Sequence, residues 1–131
     1  MTLKTVLLVE DSPDDQFMGK EMFRRAIKDV EVVCVFDGSE ALERLAEEDF
    51  RPDVILLDIN MPRMNGLQFL QNYGRKNDPT IPPVVVMLTS SEQASDKAES
   101  MAYACVKHYF VKPLQKSNIE AIVEMLDAID G

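Results

Sequence analysis

Five groups along the chain could do chemistry together: the carboxylates of Glu10, Asp11 and Asp58, the hydroxyl of Thr89 and the ammonium of Lys112. Each follows a short apolar run. Thr5-Val6-Leu7-Leu8-Val9 ends in the two acids and Val54-Ile55-Leu56-Leu57 in Asp58. Val84-Val85-Val86-Met87-Leu88 ends in Thr89-Ser90-Ser91, and His108-Tyr109-Phe110-Val111 in Lys112-Pro113. If the runs are parallel strands, their exits share the edge where open α/β sheets bind ligands. Two or three carboxylates within about 4 Å would repel by a few kcal/mol per pair at an effective dielectric of ~20, so the cluster needs a cation or a raised pKa. Oxygen donors with no His or Cys among them select Mg²⁺ or a similar hard ion. A lysine and a hydroxyl facing a metal-bound carboxylate would receive a phosphoryl group, because metal, ammonium and hydroxyl can each take one oxygen. Alone, Asp58 reads equally well as a loop cap; the matching groups at the other exits set it apart.

The elements that must position these groups follow in order. Val54 to Leu57 has the length and β-branched content of a strand buried on both faces, and Glu31 to Phe36 reads as another strand. Ser12 before Pro13, Asp14 and Asp15 starts a helix, with Ser as N-cap, Pro in the first turn and acids against the positive dipole end. Met18, Met22 and Ala26, beside Phe23 and Ile27, form the stripe expected on the sheet. Asp37-Gly38-Ser39-Glu40 turns into a helix with Ala41, Leu42, Leu45 and Ala46 on one face. After Gly66 come Leu67, Phe69, Leu70 and Tyr73, closed by Gly74, and Arg75 to Pro83 is the longest loop, a site for variation or partner contact. The helix of about Glu92 to Ala104 offers mainly Ala94, Ala98, Met101 and Ala102 to the sheet. Such side chains bury little area, at roughly 25 cal/mol per Å², so this helix should be held weakly and able to shift. The last helix opens with the capping box Ser117-x-x-Glu120 and places Ile119, Ile122, Val123, Leu126 and Ile129 at helical spacing. Five alternations of strand and helix imply a parallel sheet with right-handed crossovers and helices on both faces.

The 131 residues fit one domain, 1–131, undivided by linker or repeat and with no room for an output domain. The longest apolar runs fall far short of a membrane span and the start is not a signal peptide, so a cytoplasmic protein is expected. A formal net charge of -9 disfavours direct contact with nucleic acid or an anionic membrane and suits a protein that holds a cation. Cys34 and Cys105 lie in apolar segments without metal-ligand spacing and read as buried free thiols. His108, the single histidine, stands at the start of an expected edge strand and reads as solvated, not as a phosphohistidine or a metal ligand.

Val9-Glu10-Asp11-Ser12-Pro13, Leu57-Asp58-Ile59-Asn60-Met61-Pro62-x-Met64-x-Gly66, Leu88-Thr89-Ser90 and Tyr109-x-x-Lys112-Pro113 are each weak motifs alone. In this order and spacing they resemble the receiver domain of bacterial two-component response regulators, over essentially the whole chain. The resemblance implies a flavodoxin-like, doubly wound five-stranded parallel sheet of strand order 2-1-3-4-5 with five helices. It implies that Asp58 is the phosphoacceptor of a phosphorelay, attacking a phosphohistidine on a sensor histidine kinase or a histidine phosphotransfer protein. Mg²⁺ would be held by Asp11, Asp58 and the backbone carbonyl of Asn60, with Glu10 acting through water. Lys112 would pair with the acceptor carboxylate and then the phosphoryl group, Lys112-Pro113 would be cis, and Thr89 with Tyr109 would be the switch pair. The output would be a changed binding face for a downstream protein target or a homodimer. Such a protein is not an enzyme beyond its own phosphorylation and dephosphorylation.

Three departures stand out. Glu10 replaces the commoner Asp, Ser90 stands where many members carry Ala, and Cys105-Val106-Lys107-His108 lacks the usual Gly before the fifth strand. Other functions fit less well. A haloacid dehalogenase-like phosphatase needs a second Asp two residues after the first, where Asn60 cannot transfer a proton. A flavodoxin-like electron carrier needs phosphate-binding amides after the first strand, where Glu10 and Asp11 would repel phosphate. A degenerate receiver would not keep Asp58, Thr89 and Lys112 together.

Overall fold

The chain's computed structural model describes residues 3–73 and 83–130. The Gly74 helix stop and all of the loop before Pro83 lie outside the described residues. The elements are β1 Thr5–Val9, α1 Pro13–Ala26, β2 Glu31–Val35, α2 Gly38–Leu45 and β3 Val54–Leu57. They continue with α3 Gly66–Tyr73, β4 Val84–Thr89, α4 Ala94–Met101, β5 Val106–Val111 and α5 Lys116–Asp130. The strands form one parallel sheet in the order β2-β1-β3-β4-β5, as expected.

Every residue of β3 and β4 is buried, which is why these segments read as unbroken apolar runs. Alternate residues divide between two cores. Leu7, Val9, Ile55, Leu57, Val85 and Met87 meet Ala41 of α2 and Phe69 and Leu70 of α3. Val6, Leu8, Val54, Leu56 and Val86 meet Phe23 of α1 and Ile119, Ile122 and Leu126 of α5. The sheet is thus covered on both faces, and its exits stay open between the layers.

Several expected helix faces differ. In α1 the row toward the sheet is Gly19 and Phe23, continued by the C-cap Ile27; Met18 and Ala26 are exposed and Met22 is half-buried. A Cβ on Gly19 would lie 3.0 Å from Leu8 Cδ2, so the helix lies close on β1 at a residue without a side chain, and the methionine before it is exposed. In α4, Ala94, Ala98 and Met101 are exposed, as is the C-cap Ala102, and Ser100 is the buried residue. The buried position of the helix is thus a small polar residue whose hydroxyl donates to the Asp96 carbonyl at 2.8 Å, not an alanine face. Ala46 is the exposed C-cap of α2. The capping box of α5 is displaced: the Gln115 N–H donates to Asn118 Oδ1 at 2.9 Å, so Asn118 takes the reciprocal role expected of Glu120.

β5 begins two residues before the expected His108. The glycine-free turn closes with the Val106 N–H on the Tyr103 carbonyl at 3.0 Å. The register then shifts: Val85 faces Val106 and Val86 faces His108, leaving Lys107 as the extra residue. The irregularity that a glycine would ease is absorbed as a bulge at the start of an edge strand.

Candidate functional site

The register of the central strands brings the acids together. Val9 lies beside Leu57, and the Asp58 N–H donates to the Val9 carbonyl at 3.2 Å, so Glu10 and Asp58 leave the sheet as neighbours. Both are buried, Asp11 is exposed, and one carboxylate oxygen from each of the three lies within 4.8 Å of the others. Lys112 arrives from β5, its backbone N–H donating to the carbonyl of the buried Thr89 at 2.9 Å. Its Nζ lies 2.5 Å from Glu10 Oε1, 2.8 Å from Asp15 Oδ2 and 2.9 Å from Asp58 Oδ2. The Lys112-Pro113 bond is cis.

The electrostatics follow. Burial pushes the Glu10 carboxyl up to about 7, opposed by the Lys112 ammonium and the Ser12 N–H and reinforced by the Asp58 charge. Burial alone would lower the Lys112 pKa, but Asp15, Glu10 and Asp58 outweigh it and hold the ammonium above its ordinary value. The cluster therefore uses both remedies for crowded acids, an internal cation and a raised carboxyl pKa.

The loop after β3 is tied down on two sides. The Gly66 N–H donates to the Ile59 carbonyl at 2.9 Å, and a Cβ on Gly66 would sit 2.2 Å from the Asp58 carbonyl oxygen. Only glycine permits that approach. Asn60 is exposed, its N–H 3.4 Å from Asp58 Oδ1. Across the loop, Arg63 has a left-handed backbone, φ 60. Its guanidinium reaches the fully buried Asp37, with Nε 2.6 Å from Oδ2 and a second contact from NH2. The other oxygen of Asp37 accepts from the Ser39 N–H and hydroxyl and the Glu40 N–H, capping α2. Sequence reasoning missed Asp15 and the Asp37–Arg63 pair. Asp15 already had a role as a first-turn acid, and nothing local links Asp37 to a residue 26 positions away.

Thr89 Oγ1 accepts from the Ser91 N–H at 3.3 Å, and the half-buried Tyr109 hydroxyl donates to the Ser91 carbonyl at 3.0 Å. Thr89 and Tyr109 thus meet at one residue. His108 stacks on Phe110, ring centroids 5.0 Å apart, away from this cluster. Cys105 is buried and Cys34 half-buried, both free.

Three convergent carboxylates with no soft ligand, one of them open to solvent, fit a hard divalent cation. A doubly wound sheet whose central exits hold this acidic, lysine-bridged cluster defines the class of protein. A family model described as the response regulator receiver domain matches residues 6–124, and the chain belongs to that family, which acts in two-component signalling. It is 35% identical to response regulator Rcp1 of Synechocystis over 98% of this chain and 87% of that protein. It spans only 30% and 32% of the length of other curated relatives that it matches. A two-component response regulator from Cytophaga hutchinsonii superposes with a TM-score of 0.85 at 26% identity, covering 98% of this chain and 99% of that one. A Mn²⁺-bound form of Rcp1 gives 0.73 at 31% identity, covering 97% and 91%. Among the described residues no helix is long and apolar enough to cross a membrane.

Proposed function

We propose that Asp58 accepts a phosphoryl group from a phosphohistidine on a sensor histidine kinase or a histidine phosphotransfer protein. The observation that carries this reading is Asp58 Oδ2 held 2.9 Å from Lys112 Nζ beside the carboxylates of Glu10 and Asp11. A nucleophile, a cation for the incoming oxygens and a set of metal donors are preassembled, and phosphoryl transfer depends mainly on such positioning and charge. Mg²⁺ held by Asp11, Asp58 and the Asn60 carbonyl, with Glu10 acting through water, would neutralise charge on the phosphoryl oxygens.

Asn60 stands where a hydrolase would need a proton-transferring acid, so the chain is an acceptor and not an enzyme on external substrates. Residues 1–131 act as one receiver unit, in the cytoplasm, without direct contact with nucleic acid. Thr89 and Tyr109 form the switch pair, and the output is a changed face for a downstream protein or a second copy. The Mn²⁺-bound state of the related Rcp1 supports the metal part of this reading.

Intact mass after incubation with a small phosphodonor and Mg²⁺ tests it. One added phosphoryl group is expected on the wild type and none on Asp58→Asn. Modification of Asp58→Asn to the wild-type extent would refute it.

A further inference from the structure

The three carboxylates around Lys112 are not equivalent. Glu10 and Asp58 belong, with Asp11, to the group of oxygens that converge as donors for a divalent cation. Asp15 does not belong to that group, yet its Oδ2 lies 2.8 Å from the ammonium. We propose that Asp15 is a positioning residue, which keeps Lys112 beside Asp58 once Glu10 and Asp58 also face a divalent cation. The proposal rests on the metal-dependent acceptor reading above.

Charge makes the need for such a residue concrete. An ammonium and a divalent cation that share Glu10 and Asp58 repel each other. Lys112 sits on a flexible four-carbon stem with a fifth of its side-chain surface exposed, so it can relieve that repulsion by turning into water. Asp15 offers a carboxylate that the ammonium need not share. Its own place is fixed: the Asp15 N–H donates to Ser12 Oγ at 3.3 Å. The Gln16 amide donates to the carbonyls of Glu10 at 2.6 Å and Val35 at 3.2 Å, locking the first turn of α1 to the exits of β1 and β2.

Asp15 has 41% of its side-chain surface exposed, so replacing it leaves no buried charge unpaired. Asp14 is an exposed acid in the same helical turn. Among the described residues, the ion pairs of Lys112 go to Glu10, Asp15 and Asp58. Asp14→Asn therefore controls for loss of charge at the helix end.

The test compares the wild type, Asp15→Asn and Asp14→Asn. Trace acetylation of Lys112 by acetic anhydride is read by mass spectrometry, in chelator and in saturating Mg²⁺. Occupancy is checked by the free-ion signal of Mn²⁺, and phosphorylation from a small phosphodonor is timed in parallel. In chelator Lys112 should be equally protected in all three, because Glu10 and Asp58 still hold it. In Mg²⁺, Asp15→Asn alone should expose Lys112 to acetylation and slow phosphorylation by about tenfold, the scale of losing a partner just outside a metal site.

Protection of Lys112 in Mg²⁺-loaded Asp15→Asn would overturn the proposal. So would equal effects in Asp14→Asn, which would reduce Asp15 to one more charge at a helix end. If the wild type accepts no phosphoryl group, the acceptor reading fails. The acetylation arm then decides on Asp15 by itself, upholding the role if Mg²⁺ exposes Lys112 only in Asp15→Asn and overturning it otherwise.

Discussion

Among the described residues, Lys112 is the positive charge in contact with the buried Glu10 and Asp58, and its loss shows how the cluster is balanced. Without it Glu10 and Asp58, 3% and 4% exposed, face each other uncompensated. Lys112→Met should lower stability in chelator by about 3 kcal/mol, the lower end for breaking a buried pair, since the ammonium is partly solvated. Mg²⁺ should recover much of that, because a divalent cation supplies the missing charge and binds only the folded arrangement. Urea unfolding of both proteins in Mg²⁺ and in chelator, at matched ionic strength, measures the two gaps. Gaps of equal size would mean that acid crowding is not what Lys112 relieves. Glu10, Asp11, Asp58 and Lys112 were legible in sequence because each polar group interrupts a run of apolar residues. Asp15 was not, because a helix end already explained its charge and its partner lies 97 residues away.

At the scale of elements, the loop between β3 and α3 is held by one buried pair and one close approach. Burial pushes the Asp37 carboxyl up, but the Ser39 hydroxyl, the Glu40 N–H and Arg63 more than offset this and leave it below its ordinary value. A depressed carboxyl contributes stability that is present above its unfolded pKa, about 3.9, and is lost as pH falls through the folded value. Arg63→Ala should therefore cost about 2 kcal/mol at pH 7, the scale of hydrogen bonds to a charged group. The gap should close as the pH falls below 4; urea midpoints at pH 7 and pH 3 check this, and an unchanged gap would assign the loss to packing. Gly66→Ala should cost about 3 kcal/mol, since its Cβ collides with backbone that cannot rotate away. Strands and helix order were legible because a strand buried on both faces must be continuously apolar. Helix faces were less so: Gly19 and Ser100 carry no hydrophobic signal, yet they are buried positions of α1 and α4.

For the whole molecule, the question is how a change at Asp58 reaches a surface. Ser91 connects the parts: its N–H donates to Thr89 Oγ1, its carbonyl accepts from Tyr109, and its hydroxyl donates to Asp96 of α4 at 2.6 Å. Helix α4 has eight residues, Ser100 as its buried residue, and an N-cap, Gln93, that makes no side-chain capping bond. Little opposes its displacement. A phosphoryl group adds roughly two negative charges and new acceptor oxygens. On the switch-pair reading Thr89 moves toward these oxygens, which would strain its bond to Ser91 and loosen Tyr109 and Asp96 together. The face of α4, β5 and α5 should then shift in population without refolding. Amide exchange with and without beryllofluoride, in wild type and Asp58→Asn, should show changes concentrated between residues 89 and 112 in the wild type alone. The exposed Ala94, Ala98 and Met101 would move with that face, although they do not hold it to the sheet. Changes confined to α1 and α2 would mean that the signal leaves the site by another route.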